Sequence, residues 1–241
     1  MNLIRYILWK ISLKKVYSVT CPTNKTREYL ININIVNKEK ITTIYDPIIQ
    51  IIEQKKLKKQ KVDLENYFIS VGRLTKQKNF TFLINTFKDL FDKNLINEKL
   101  VIIGEGELEN EIKDFIKKNN LNNKIILLGY KKNVLKYLYN SKAFILSSLW
   151  EDPGFVIMEA AFCNAPLISS DCLNGPIELL KDKNNSFLFK SNSSKALKEA
   201  ILNFKNTDKK NIKIKKINAL NEAKKFTLFR HFNKLNDLLD K

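Results

Sequence analysis

The chain has 241 residues, 44% of them hydrophobic, enough to bury a sizeable core in one or two domains and to exclude an intrinsically disordered segment. Its 43 basic against 25 acidic residues give a formal net charge of +18. The lysines spread over nearly every segment, which argues against a specific nucleic-acid surface and for general attraction to an anionic membrane surface.

Residues 1–15 place Leu3, Ile4, Ile7, Leu8 and Ile11 at helical spacing, with Arg5, Lys10, Lys14 and Lys15 between and after them. The run is too short and too charged to span a bilayer, and it lacks the pattern of a signal peptide. It reads as a helix packed on a sheet, with an interfacial membrane helix as the alternative. Val16–Thr20 reads as a short strand, Cys21–Asn24 as a loop opening a helix through Leu30, and Ile41–Ile44 as a second strand stopped by Asp46-Pro47. The polar, lysine-rich stretch 54–63 reads as a loop.

From Tyr67 the pattern becomes regular. Apolar runs at 67–71, 100–103, 125–128, 143–146 and 166–170 alternate with helical patterns. The clearest helix covers 79–91, with Phe80, Leu83, Ile84, Phe87, Leu90 and Phe91 on one stripe and Asn79 as its N-cap. Such alternation predicts an α/β fold: a parallel sheet flanked by helices, with ligands at the carboxyl ends of the strands. Ser186–Phe189 reads as an edge strand, followed by helices near 193–204 and up to Lys225. At the end, Phe226, Phe229, Phe232, Leu235, Leu238 and Leu239 make an apolar face.

The six glycines close the predicted strands or sit in loops before helices, where backbone turns tightly or approaches a ligand. Gly104-Glu105-Gly106 fails as a dinucleotide fingerprint because position 109 is Glu, and no GK[ST] supplies a P-loop. No Asp-x-Asp pair or zinc pattern occurs, so no metal is expected. Cys163 and Cys172 read as packing residues.

The segment 143–176 carries the chemistry: strand, loop with Glu151-Asp152-Pro153-Gly154, helix, strand. Backbone amides at that helix start form an anion site, and Glu151 and Glu159, eight residues apart, can accept hydrogen bonds from hydroxyls. Arg73 and Lys78, at the end of a central strand, are suited to a diphosphate. A ligand with phosphates and sugar hydroxyls fits this set.

Val71-Gly72-Arg73-Leu74, Lys78-Asn79, Ile103-Gly104-Glu105-Gly106, Leu128-Gly129-Tyr130 and the Glu151-to-Glu159 spacing together resemble the retaining glycosyltransferases of family 4, also called group 1, which have the two-domain GT-B fold. The resemblance covers residues 67–190. It implies a Rossmann-like C-terminal domain that binds a nucleotide-diphosphate sugar without a metal or other cofactor. Arg73 and Lys78 are then expected to hold the diphosphate, Glu159 the ribose, and Glu151 the donor sugar near the reacting carbon. Backbone at Gly154, Phe155 and Val156 would contact the distal phosphate and sugar, Gly104 would belong to the donor site, and Tyr130 would lie near the base. Asp152-Pro153 and the run Ser170–Pro176 with Glu178 resemble the branch that builds bacterial lipopolysaccharide, capsule and related polysaccharides, with a saccharide or lipid-linked acceptor.

The family also implies a division of the chain: 1–46 as the remnant of an acceptor domain, 47–66 as linker, 67–225 as the donor domain, and 226–241 as a helix returning toward the N-terminal side. The expected location is cytoplasmic, peripheral on the inner face of the membrane. A separate acceptor-domain chain or a homo-oligomer would complete the enzyme. The alternatives are a non-catalytic donor-binding subunit and, less well matched by the paired glutamates, a sugar-nucleotide epimerase.

Overall fold

The structure is a computed structural model that describes residues 2–48, 57, 60–172, 174–180 and 184–240. Much of the expected 54–63 loop and of the 47–66 linker therefore lies outside the described residues, as does Leu173. The chain divides into two compact units, Met1–Ile48 with Lys225–Lys241, and Ile49–Lys224.

In the first unit, helix α1 (Leu3–Ser12) starts where the Asn2 side chain accepts the Ile4 amide at 3.0 Å. Strand β1 (Val19–Cys21) pairs in parallel with β2 (Ile41–Thr43), joined through α2 (Asn24–Asn32), which Thr23 caps. The small core holds Cys21, Leu30, Ile35, Val36 and Ile41, and Tyr6 and Leu13 of the first helix region pack on it. The opposite stripe of α1, Leu3, Ile4, Ile7, Leu8 and Ile11, is exposed.

The second unit is a parallel sheet of β3 (Tyr67–Val71), β4 (Lys99–Ile103), β5 (Ile125–Leu127), β6 (Ala143–Leu146), β7 (Leu167–Ser170) and β8 (Phe187–Phe189), in the order β5-β4-β3-β6-β7-β8. Tyr67, Phe68 and Ile69 are all fully buried, as a central strand covered on both faces requires. Alternate residues serve the two faces. Phe68 joins a core with α3 (Phe80–Asp92), α4 (Glu109–Lys118) and α8 (Ser194–Asn206), where its ring stands edge-on to Phe87 and Phe204 at 5.8 and 5.9 Å. On the other face, the Tyr67 hydroxyl donates to the Tyr137 carbonyl of α5 (Leu135–Asn140) at 2.7 Å. There α6 (Phe155–Phe162) packs against α9 (Lys209–Ala223), and a short α7 (Gly175–Leu179) precedes β8.

The strands of the sheet unit fall within a residue of their expected limits, and the predicted 186–189 strand is at the edge, paired with β7, whereas β1, expected over Val16–Thr20, runs Val19–Cys21. Two further details differ. Asn79 occupies the cap position of α3 but in the left-handed conformation, φ 57°, with no side-chain cap bond. Its amide instead donates to Asn192 at 3.1 Å. The last helix, α10, runs Leu228–Leu239, and Phe226 lies in a preceding 3-10 turn, buried against Tyr45 at 4.5 Å between ring centroids. Phe226 is therefore core, not part of the exposed face that Leu228, Phe229, Phe232 and Leu239 make.

Left-handed turns are mostly given to asparagine. Asn94, Asn120 and Asn164 close α3, α4 and α6 at φ between 51° and 58°. Glycine is kept where even a methyl has no room. A Cβ on Gly104 would stand 1.9 Å from the Gly72 carbonyl oxygen, at a φ of +143°.

Candidate donor site

The strand order reverses at β3: the chain builds outward through β4 and β5, then returns to β6 on the other side and continues to β7 and β8. In open parallel sheets such a switch point, at the carboxyl ends of the strands, is where ligands bind. Sequence places Gly72, Arg73 and Lys78 after β3, and Ser147, Ser148, Glu151 and Gly154 after β6.

The two loops are stapled together. Leu149 N–H donates to the Gln77 carbonyl at 2.9 Å, and the Gln77 side-chain amide donates to the Trp150 carbonyl at 2.9 Å. Ser147 Oγ donates to the Lys78 carbonyl at 2.8 Å. The Lys78 Nζ reaches Glu151 Oε1 at 2.5 Å, and Ser148 Oγ donates to the same oxygen at 2.5 Å. This ion pair is almost out of water, the side chains being 14% and 4% exposed. The Lys78 stem lies over Gly72, whose absent side chain leaves that path open: an added Cβ would sit 3.2–3.3 Å from three of its carbons.

Gly154 caps α6 in the left-handed conformation, φ 80°, with no side-chain cap, so Gly154 itself leaves the first amides of α6 uncapped. Its Cα packs against Glu151, an added Cβ meeting the Glu151 side chain at 3.2 Å. Within α6, Phe155 is exposed, and Val156 and Glu159 are half-buried. Arg73 is exposed, and among the described residues its guanidinium has no partner. Cys172 lies close enough to feel Glu151 and Lys78. Burial pushes its thiol up to about 11, against the lowering effect of a hydrogen bond with Ser170. It is protonated and inert at neutral pH, as a packing residue should be.

The glycine turn after β4 has a structural use for its acid. Glu105 Oε1 accepts the Tyr130 amide at 3.1 Å, tying the loop after β4 to the loop after β5. The Tyr130 ring is exposed at the outer strand of that wing.

The structure thus joins Lys78, Glu151 and Gly154 directly, and sets Gly104 against Gly72. It places Tyr130 two strands away, about 10 Å by strand spacing. Sequence reasoning gave Lys78 and Glu151 separate tasks and did not foresee their pairing, nor the roles of Gln77, Ser147 and Ser148. The only signal for the serines was their place at the end of a buried strand, with Ser148 three residues before the acid. Among the described residues no group of three or more His, Cys, Asp or Glu side chains is placed to hold a metal ion.

The family model described as glycosyl transferases group 1 matches residues 51–221, well over half of the chain. The chain belongs to this family. Its relatives include the uncharacterized glycosyltransferase MJ1059 of Methanocaldococcus jannaschii, 42% identical over 113 residues, which are 47% of this chain and 28% of that protein. Another is the N-acetylgalactosamine-N,N'-diacetylbacillosaminyl-diphospho-undecaprenol 4-alpha-N-acetylgalactosaminyltransferase of Campylobacter jejuni. It is 31% identical over 176 residues, 72% of this chain and 47% of that one. The chain thus spans less than half the length of these relatives. Among solved structures, Anabaena Alr3699/HepE in complex with UDP superposes with a TM-score of 0.81 at 18% identity, covering 100% of this chain and 68% of that one. That likeness shows the fold, an α/β parallel sheet flanked by helices as in GT-B glycosyltransferases.

Proposed function

We propose that this site binds a nucleotide-diphosphate sugar, and that the chain serves retaining, family 4 transfer of a hexosyl group to a saccharide or lipid-linked acceptor in bacterial cell-surface polysaccharide synthesis. The observation that carries this is the Lys78–Glu151 pair beside the uncapped start of α6, at the switch point of a group 1 glycosyl transferase domain. The name of the Campylobacter relative, with its diphospho-undecaprenol acceptor, supports the lipid-linked class. UDP in the Anabaena structure supports a nucleotide donor.

In this reading Lys78, Arg73 and the α6 amides at Phe155 and Val156 receive the diphosphate. As the bond from sugar carbon to phosphate oxygen lengthens, charge grows on the leaving group, and fixed donors already aimed there stabilise it. Glu151, next to Gly154, accepts hydrogen bonds from the sugar hydroxyls. Glu159, one turn inside α6, accepts from the ribose diol, and Tyr130 lies toward the base. No metal is assigned to the site.

Trp150 stands in the site loop and is half-exposed, and the chain has one other tryptophan, Trp9. A Trp9→Phe variant therefore gives a single reporter for titrations with UDP, GDP and their sugars. At least one nucleotide should quench or shift it, and Glu159→Ala should weaken that nucleotide by about 1.5–3 kcal/mol, the range for a hydrogen bond to a charged group. Titrations flat for every nucleotide would end this reading.

A second reading, a donor-binding unit that transfers only together with an acceptor domain, is supported by the exposed apolar stripes of α1 and α10. We place part of that domain in residues 1–46 and its returning helix in 226–241. The exposed stripes of α1 and α10 would then be covered by that domain, a second copy or an anionic membrane. Among the described residues no helix is long and apolar enough to cross a membrane. Co-sedimentation with vesicles tests the membrane alternative. Binding to anionic but not neutral vesicles, lost in Ile7→Asp, supports it, and equal recovery with both excludes charge-driven attachment.

A further inference from the structure

We propose that the two consecutive serines at the end of β6 are positioning residues with separate charges in their care: Ser147 sets Lys78 for the diphosphate, and Ser148 sets Glu151 for the sugar. The inference rests on the donor-site reading above and names what arranges that site.

Both serines are 1% exposed, and buried hydroxyls must spend their proton on a partner. The two hydroxyls take different partners. Ser147 reaches the loop after β3, donating to the Lys78 carbonyl at 2.8 Å, and Ser148 turns within its own loop to Glu151 Oε1 at 2.5 Å. Ser148 is itself anchored, its carbonyl accepting from Ser170 Oγ at 2.8 Å and from Ser191 Oγ at 3.4 Å.

The need for Ser148 follows from the ion pair. Without donor, Glu151 Oε1 is held by both Lys78 Nζ and Ser148 Oγ. A diphosphate that engages Lys78 draws the ammonium away. Ser148 is then the group that still fixes Oε1 of the carboxylate, leaving Oε2 for the sugar hydroxyls. Ser147 has the complementary task, because it fixes the backbone from which Lys78 springs. The Gln77 bonds keep the two loops joined when either serine is changed.

The test is calorimetry with UDP or GDP, whichever wild type binds, and with the matching nucleotide sugar. Ser147→Ala should weaken nucleotide and nucleotide sugar alike, by about 3- to 10-fold, one neutral hydrogen bond's worth. Ser148→Ala should leave the plain nucleotide within about 2-fold and weaken the nucleotide sugar by about 3- to 10-fold. Ser148→Thr, which keeps the hydroxyl, should restore the sugar preference. Should Ser148→Ala not fold, Ser170→Ala loosens the Ser148 carbonyl and should lower the same preference by a smaller factor. If the two serine variants change both ligands equally, or change neither, the division of labour is wrong while the donor site stands. Wild-type protein that binds no nucleotide defeats the underlying reading and this inference with it.

Discussion

Lys78→Ala is expected to cost the sheet unit about 3–5 kcal/mol, because it strands a buried carboxylate. Glu151 is 3% exposed, and with the ammonium gone its charge keeps one hydroxyl donor, Ser148. Restoring neutrality should recover much of the loss. The double variant Lys78→Ala, Glu151→Gln should therefore unfold at higher urea than Lys78→Ala alone, with Gln still accepting the Ser148 bond through its amide oxygen. Urea melts of wild type and the two variants measure this. If the single lysine variant is as stable as wild type, the pair is not the buried unit described here. The same substitution removes the cation proposed for the diphosphate, so nucleotide affinity should fall with stability in Lys78→Ala and should not return in the double variant.

Gly104→Ala should have a comparable effect for a steric reason. Its Cβ would meet the Gly72 carbonyl oxygen at 1.9 Å, and the Gly104 φ of +143° is one that side-chain-bearing residues rarely adopt. Backbone cannot yield as a flexible side chain does, so about 3 kcal/mol or more of stability should be lost. Gly129→Ala is the control. Its φ is +64°, and the nearest atom to its Cβ is Glu105 Oε1 at 3.6 Å, so about 1 kcal/mol is expected. Thermal melts that rank the two variants equally would show that the contact between the loops after β3 and β4 is looser than drawn.

The fold was legible because its strands are buried on both faces and read as unbroken apolar runs, Tyr67–Val71 and Ala143–Leu146 above all. The glycines were legible for a related reason. Asparagine takes the ordinary left-handed turns at Asn94, Asn120 and Asn164, so the glycines that remain mark collisions such as Gly104 with Gly72. Not legible was the pairing between the loops after β3 and β6. Lys78 and Glu151 are 73 residues apart, and nothing local in either segment says that the strand order reverses between them. Ser147 and Ser148 drew no functional reading, since a serine just past a strand looks the same whether it faces water or anchors a charge. The use of Glu105 was hidden for the same reason, because its partner, the Tyr130 amide, comes from beyond the next strand.

The reversal at β3 also governs when the site comes into being as the chain folds. One wing of the sheet, β3 to β5, can pair from neighbouring segments as soon as residues 67–127 are available. The other wing joins only when Ala143 and Phe144 register beside Phe68 and Ile69, across a loop of some 75 residues. Closing such a loop is entropically costly and slow compared with local pairing. Each staple of the proposed donor site, Ser147 to Lys78, Leu149 to Gln77 and Glu151 to Lys78, spans that seam. A refolding experiment that follows nucleotide binding should thus time the docking of the two wings, after helix formation is already complete.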